Sequence, residues 1–173
     1  MKTRLGFVSN SSSSSFVVAF DKTPESVIEM QQLLFDANQT MFSDLWSDDG
    51  WPVAEVAQEI LRQIERKSAL TTDDVVEIVR SGYIPTIYAQ VDKQFPCRYQ
   101  PNQSREEIEE EYAARDKLND ELSYEFATDW LLQDDVRGKT VFEIYLSDDS
   151  PLGCAMEHGD LFKRLPHIHV SHH

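Results

Sequence analysis

Apolar residues follow two different spacings along this chain, and the spacing separates strands from helices. Residues 16–20 form a short, continuous and partly β-branched apolar run, which predicts a buried strand. Residues 141–146 and 167–170 alternate between apolar and polar positions and predict two more strands. Because each segment is too short to be stable alone, we expect all three to pair in one small sheet.

Four segments have the apolar spacing of amphipathic helices. The predicted helices are residues 24–38, 53–64, 72–82 and 104–133. Ser104 followed by Glu107 forms a capping box that marks the start of the longest helix. A short helical turn is expected at 151–158, and residues 43–52 predict a loop anchored by Trp46 and Trp51.

Residues 83–91 alternate enough to predict a further strand, with Pro85 at a sheet edge. Helices and strands are mixed without a regular βαβ order, so the fold class is α+β. We expect a small mixed sheet from the two chain ends, covered by three or four helices that include the long acidic one. A length of 173 residues predicts a single domain, residues 1–173, with a serine-rich N-terminal arm at 1–15.

The charge balance excludes some classes of partner. The chain has 31 acidic and 16 basic side chains and a net charge of -15. Such a surface repels phosphate groups, so direct binding to nucleic acid or to an anionic membrane is not expected. Nearly all of the negative charge falls between residues 23 and 149, which predicts a partner with a basic surface.

The long predicted helix carries the candidate binding residues for such a partner. They are Glu106, Glu107, Glu109, Glu110, Glu111, Asp116, Asp120 and Glu121. The first hypothesis is therefore a small acidic intracellular interaction protein that binds a basic, nucleic-acid-handling protein. An acidic helix is also commonly no more than a solvated face, and that alternative stays open.

All five histidines fall in the last sixteen residues, and they suggest a second hypothesis. On a strand, His167 and His169 lie on one face and can bind one metal ion together, with His158 and either Glu157 or Asp160 completing the site. Zinc, nickel or iron would suit such ligands, and the function would be metal binding or metal-dependent hydrolysis. His158 as a helix cap and His172-His173 as a polar tail are the plainer interpretations.

The serine run before the first strand is the remaining unusual feature. Residues 9–15 could form a polar arm or, with Arg4, wrap an anion. If the three strands share one sheet, the serines and the histidines meet at its edge and form a composite hydroxyl and imidazole surface. No catalytic residue is assigned, because no complete catalytic arrangement is present.

The N-terminus and the cysteines together predict the cellular compartment of the protein. Serines occupy the place where a signal peptide would have its apolar region, and no apolar run approaches the length of a membrane span. Cys97 and Cys154 are too few for a disulfide framework. We therefore expect a cytoplasmic protein with reduced thiols.

Both ends of the chain resemble a known group of sequences. The opening Lys2-x-Arg4-x-Gly6-Phe7-Val8-Ser9-Asn10 with its serines and Phe16, and the ending Glu157-His158-Gly159-Asp160, Phe162 and 165–173, are similar to a group of small proteins of bacteria and their phages. The resemblance covers about the first sixteen and the last twenty residues. It implies a phage or mobile-element accessory protein and brings no catalytic residue with it.

Overall fold

A computed structural model describes residues 13–43, 50–96, 103–147 and 150–172. The strands are β1 (Ser13–Phe20), β2 (Met41–Phe42), β3 (Trp51–Pro52), β4 (Thr140–Ser147) and β5 (His167–His172). The helices are α1 (Val27–Leu34), α2 (Val53–Glu65), α3 (Thr72–Ser81), α4 (Pro85–Gln94), α5 (Arg105–Leu132) and α6 (Pro151–His158). The fold is α+β, as the sequence predicts, although six helices are described rather than three or four.

The main sheet has three antiparallel strands in the order β4-β1-β5. Phe16 in the central strand lies opposite Ile144 on one side and His169 on the other. The prediction that the two chain ends build one sheet is confirmed. Strand β1 starts at Ser13, so residues 13–15 belong to the sheet rather than to the predicted arm, and residues 1–12 lie outside the described residues.

Helices cover both faces of this sheet, and each face has its own hydrophobic core. The first face carries Phe16, Val18 and Phe20 and packs against α1, α2 and α6. The second face carries Val17 and Ala19 and packs against α3, α4 and α5. A strand buried on both faces has no polar side to present to water, which explains why residues 16–20 are continuously apolar.

The strand predicted at residues 83–91 is wrong, because helix α4 occupies most of that segment. Pro85 stands in the first turn of the helix, where the missing backbone N–H is not needed. Ile87 and Val91 are four residues apart and both are buried, so the apolar positions follow the helical spacing. Of this segment, Tyr83 pairs with the sheet, through a single antiparallel bridge to Ser171.

The first helix begins later than the sequence suggests. Its cap is Ser26, whose hydroxyl accepts from the backbone N–H of Glu29, rather than Thr23. At the predicted loop 43–52, Met41 and Phe42 pair with Pro52 and Trp51. Trp51 packs against the first core, while Trp46 lies outside the described residues.

Both outer strands have their free edges partly covered. Along β4, the backbone N–H of Leu70 donates to the carbonyl of Val141 at 2.8 Å, and Gln63 Oε1 accepts from the N–H of Tyr145 at 3.1 Å. Along β5, Tyr83 and Ser171 exchange two backbone hydrogen bonds. Covered edges do not serve as templates for pairing with another strand.

Helix α5 matches the predicted long helix, with Ser104 as its cap and 28 residues in helical conformation. Its buried residues, Ser123, Ala127 and Trp130, all lie in its C-terminal half. The N-terminal half has no buried residue. Among the helices described, none is both long enough and apolar enough to cross a membrane.

Candidate functional site

Two consecutive serines of the central strand are buried although they are polar. Ser14 and Ser15 are each only 1% exposed. Neighbouring side chains of a strand point to opposite faces, so Ser14 lies on the first face and Ser15 on the second. A hydroxyl removed from water needs partners within the protein, and each of these serines has two.

On the first face, Ser14 connects a carboxylate and an imidazole. Its hydroxyl donates to Glu157 Oε1 at 2.7 Å, and His169 Nε2 lies 2.9 Å from Ser14 Oγ. The ring of His169 stacks on Phe16, with centroids 4.5 Å apart and planes 2° from parallel. This network joins helix α6, the central strand and β5.

On the second face, Ser15 repeats the arrangement with different partners. Its hydroxyl donates to Glu143 Oε1 at 2.6 Å, and His172 Nε2 lies 3.0 Å from Ser15 Oγ. Lys67 Nζ lies 3.3 Å from Glu143 Oε2 and donates to the Glu143 carbonyl at 3.0 Å. This network joins β4, β1 and β5, so the two serines together link every strand of the main sheet.

Each serine hydroxyl has a single hydrogen, and its direction determines whether the neighbouring imidazole nitrogen donates or accepts. A hydroxyl has one hydrogen, and in both networks it goes to a carboxylate, which only accepts when ionised. The Nε2 atoms of His169 and His172 must therefore carry the hydrogen and donate to serine. In the neutral ring this leaves Nδ1 as the acceptor.

The order of the groups excludes a hydrolase triad. In such a triad the imidazole lies between the hydroxyl and the carboxylate, so that it can take the hydroxyl proton. Here the hydroxyl lies between the other two groups and is out of contact with solvent. Neither serine is placed to attack a substrate, and the networks instead orient the two imidazoles.

Glu157 is the most deeply buried charged group in the described part of the chain. Its side chain is 3% exposed, and Oε2 has no hydrogen-bond partner among the described residues. The closest basic atom, His158 Nε2, is 3.9 Å from Oε2. Ser14 is thus the side chain that supplies a hydrogen bond to this carboxylate.

The predicted meeting of the serine run and the histidine cluster is confirmed at residues 14 and 15. The predicted metal ligands, however, do not converge. His158 lies beside Glu157 at the end of α6, His169 is bonded to Ser14, and His167 Nδ1 contacts the carbonyl of Leu165 at 3.0 Å. Within the described ranges, no three His, Cys, Asp or Glu side chains could hold one metal ion. His173 lies outside those ranges.

The predicted acidic residues lie along α5, and its first turns project from the body of the protein. All residues from 104 to 110 are exposed. Several carboxylates have partners within the chain: Glu109 binds Arg105 at 2.7 Å, Glu111 accepts from Gln103 at 3.1 Å, and Glu107 closes the capping box. Glu106 and Glu110 have no ion pair with any described residue.

Farther along α5, the carboxylates are more loosely held. Asp120 lies 3.9 Å from Arg80, and Glu121 lies 3.8 Å from Lys117. Asp116 is exposed and has no described ion pair. Between residues 105 and 121, the carboxylates with no ion pair or hydrogen bond to a described residue are Glu106, Glu110 and Asp116, which we call the acidic stripe.

The two buried networks were only partly foreseeable from sequence. Glu143 interrupts the apolar alternation of residues 141–146, and a charged residue facing a buried layer needs a partner. Ser14 and Ser15 border the apolar run directly, which is a sign that the strand extends into the serines. Which histidine meets which serine depends on the antiparallel register, and no local pattern carries that information.

Comparisons of this chain with protein-family models, with curated proteins and with solved structures give no match.

Replacing Ser14 by alanine should cost more stability than replacing Ser15. The Ser14→Ala change leaves the buried Glu157 carboxylate without a donor and should cost about 3 kcal/mol. The Ser15→Ala change should cost about 1 kcal/mol, because Glu143 is 27% exposed and keeps Lys67. Denaturant unfolding of both variants measures the difference.

A double variant separates the buried charge from simple loss of packing. Adding Glu157→Met to Ser14→Ala removes both polar partners while roughly keeping their shape, so it should recover most of the lost stability. An equal loss for the two serine variants, or no recovery in the double variant, would contradict the role assigned to Ser14.

The start of α5 should loosen on acidification. The backbone N–H of Ser104 and then its hydroxyl donate to Glu107 and hold the pKa of this carboxyl below its usual value. A lowered pKa means that the cap stabilises the helix above the unfolded value, roughly 4.3, and is lost as the pH falls through the folded value. The protection of amides 105–110, relative to the intrinsic exchange rate at each pH, should fall in that window, and Glu107→Gln should abolish the response. Glu110→Gln is the matched control and should leave it intact.

Proposed function

We propose that this protein is an interaction module that binds a basic protein partner through the N-terminal half of α5. The observation that carries the proposal is the exposure of that half. Its residues from 104 to 110 contact little of the core and carry unpaired carboxylates. A charged helix that extends beyond its own core has surface available on several sides.

The helix also offers an apolar contact beside the charges. Ile108 is 38% exposed and Tyr112 is 63% exposed, and they stand four residues apart on one side of α5. Interfaces commonly combine aromatic or aliphatic anchors with a polar rim. Ile108 and Tyr112 would supply the anchors, and Asp116, four residues after Tyr112, would contribute to the rim on the same side. Glu106 and Glu110 lie on the other side of the helix and would act through the field that they add.

The negative charge of the helix would affect both the rate of association with a partner and the selectivity for a basic one. Between residues 105 and 121 there are eight carboxylates and three basic side chains, in a chain with a net charge of -15. A field of this sign speeds association with cationic surfaces and disfavours anionic ones. A protein that ordinarily binds nucleic acid has the complementary surface.

The test reverses the charge of the acidic stripe in one variant and compares that variant with a second one in which the same change of charge is made elsewhere. The variant Glu106→Lys, Glu110→Lys, Asp116→Lys avoids the capping residue Glu107, so the helix start is preserved. The control Glu65→Lys, Glu125→Lys, Asp129→Lys changes exposed carboxylates outside the proposed surface by the same net charge. Partners are recovered from a cell extract on each immobilised protein, and the recovered protein is then purified for titration.

We expect a basic protein that the native chain and the control retain and that the stripe variant loses. Its affinity for the native chain should fall as salt rises from about 0.05 M to 0.3 M, because exposed charges are screened. Equal recovery on the stripe variant at both salt concentrations, or an equal loss on the control, would refute the proposal.

A further inference from the structure

A cavity of about 450 Å³ opens between the α3–α4 connection and the end of β5, on the opposite side of the sheet from α6. This volume is in the range of small-molecule sites, roughly 300–1,000 Å³. Six of the described residues line it: Ser81, Gly82, Tyr83, Tyr88, Ser171 and His172. None of the six carries a formal charge when histidine is neutral, in a chain where 27% of residues are charged.

Two tyrosines form an aromatic wall. Tyr83 is 40% exposed, Tyr88 is 37% exposed, and their ring centroids lie 4.6 Å apart with planes at 52°. Both are carried on fixed backbone, since Tyr83 exchanges two hydrogen bonds with Ser171 and Tyr88 is in the first turns of α4. A partly exposed aromatic wall on rigid elements is ready to pack against the flat side of a ring.

Close backbone contact holds this wall against the sheet. A Cβ atom added to Gly82 would lie 2.1 Å from Val170 Cγ1 and 3.2 Å from His172 Cε1. Only glycine allows the α3–α4 connection to approach β5 so closely. The shape of the cavity is therefore set by the fold before any ligand binds.

Hydrogen bonds within the protein assign two polar atoms of the lining, on His172 and Ser81, as acceptors, while the tyrosine hydroxyls can both donate and accept. His172 Nε2 donates to Ser15, so Nδ1 of the neutral ring is an acceptor. The Ser81 hydroxyl donates to the carbonyl of Ile78 at 3.1 Å, which leaves its oxygen free to accept. The buried network on the second face thus fixes the hydrogen-bonding character of the cavity.

The charge of the lining residues further restricts the class of ligand that fits the cavity. A phosphate or carboxylate group would need a cationic partner, and none is among the lining residues that the structure describes. Arg80, the nearest basic residue in sequence, is already paired with Glu77 and Asp120. The ligand that fits is uncharged, able to donate as well as accept hydrogen bonds, and flat on one side.

We propose that this cavity binds a neutral saccharide. A pyranose ring presents an apolar C–H face that can pack on Tyr83 and Tyr88, and its hydroxyls can donate to His172 Nδ1 and Ser81 Oγ. A nucleoside also has a flat ring, but most of its donors lie on the ribose rather than around the ring that would pack on the tyrosines, so it is the competing ligand. This site is independent of the surface on α5.

The experiment is an NMR titration of the full chain with defined probes. The neutral probes are methyl β-glucopyranoside, methyl β-galactopyranoside, methyl α-mannopyranoside and N-acetylglucosamine. Phosphorylated glucose and adenosine are the comparison probes. We expect at least one neutral sugar to bind with a dissociation constant of about 1 mM and to shift the signals of Tyr83, Tyr88 and His172.

Three variants locate the site. Tyr83→Ala and Tyr88→Ala should each weaken sugar binding roughly ten-fold, because each removes a packing face. Tyr124→Ala is the matched control, since Tyr124 is 58% exposed on α5 and does not line the cavity. Signal mapping on the native chain needs no variant, so the proposal stays testable if a substitution impairs folding.

Several results would overturn the proposal. No shift with any neutral sugar up to about 20 mM, well above the weak affinities typical of such sites, would refute it. Stronger binding of adenosine or of phosphorylated glucose would assign the cavity to a different ligand class. Sugar shifts confined to residues outside the cavity, or undiminished in both tyrosine variants, would also refute it.

Discussion

Strand β1 is covered by helices on both faces, so its side chains have little access to water. For Phe16, Val17, Val18 and their neighbours this burial is favourable, but for the hydroxyls of Ser14 and Ser15 it creates a requirement for partners. Two carboxylates and two imidazoles meet that requirement, and they come from β4, α6 and β5. The need of these two hydroxyls for hydrogen-bond partners thus requires β4, α6 and β5 to meet β1 at this end of the sheet.

The sequence predicts the regular elements well where burial is one-sided or complete. Helix α2 follows from the spacing of Val53 to Ile64, and α5 follows from the Ser104 capping box. The prediction for segment 83–91 is wrong because its few apolar residues fit both the alternation of a strand and the spacing of a helix. Only the packing of Ile87 and Val91 into the second core decides for a helix.

The candidate sites depend on information that a local pattern does not contain. That serines and histidines meet follows from pairing the chain ends, but the pairing of Ser14 with His169 and of Ser15 with His172 depends on register. A shift of one residue would reverse the faces of all the side chains. The cavity beside Tyr83 and Tyr88 requires, in addition, the close approach of Gly82 to Val170.

The second core separates two surfaces of opposite character. On α5 the carboxylates face water and each other, so contacts there are governed by charge and are sensitive to salt. In the cavity beside the α3–α4 connection no described lining residue is charged, and contacts there depend on shape and hydrogen bonds. A protein with both can bind a macromolecule and a small molecule without competition between them.

Buried serines orient the histidines of β5, and this orientation can be read from the position of the proton on each imidazole. Long-range nitrogen–proton NMR correlations at a pH where the rings are neutral distinguish Nδ1–H from Nε2–H. The serine networks predict Nε2–H for His169 and His172, whereas His167, which contacts the Leu165 carbonyl through Nδ1, should carry Nδ1–H. Finding Nδ1–H on His169 or His172 would contradict the account, because the serine hydrogen would then have to go to the imidazole instead of to the carboxylate.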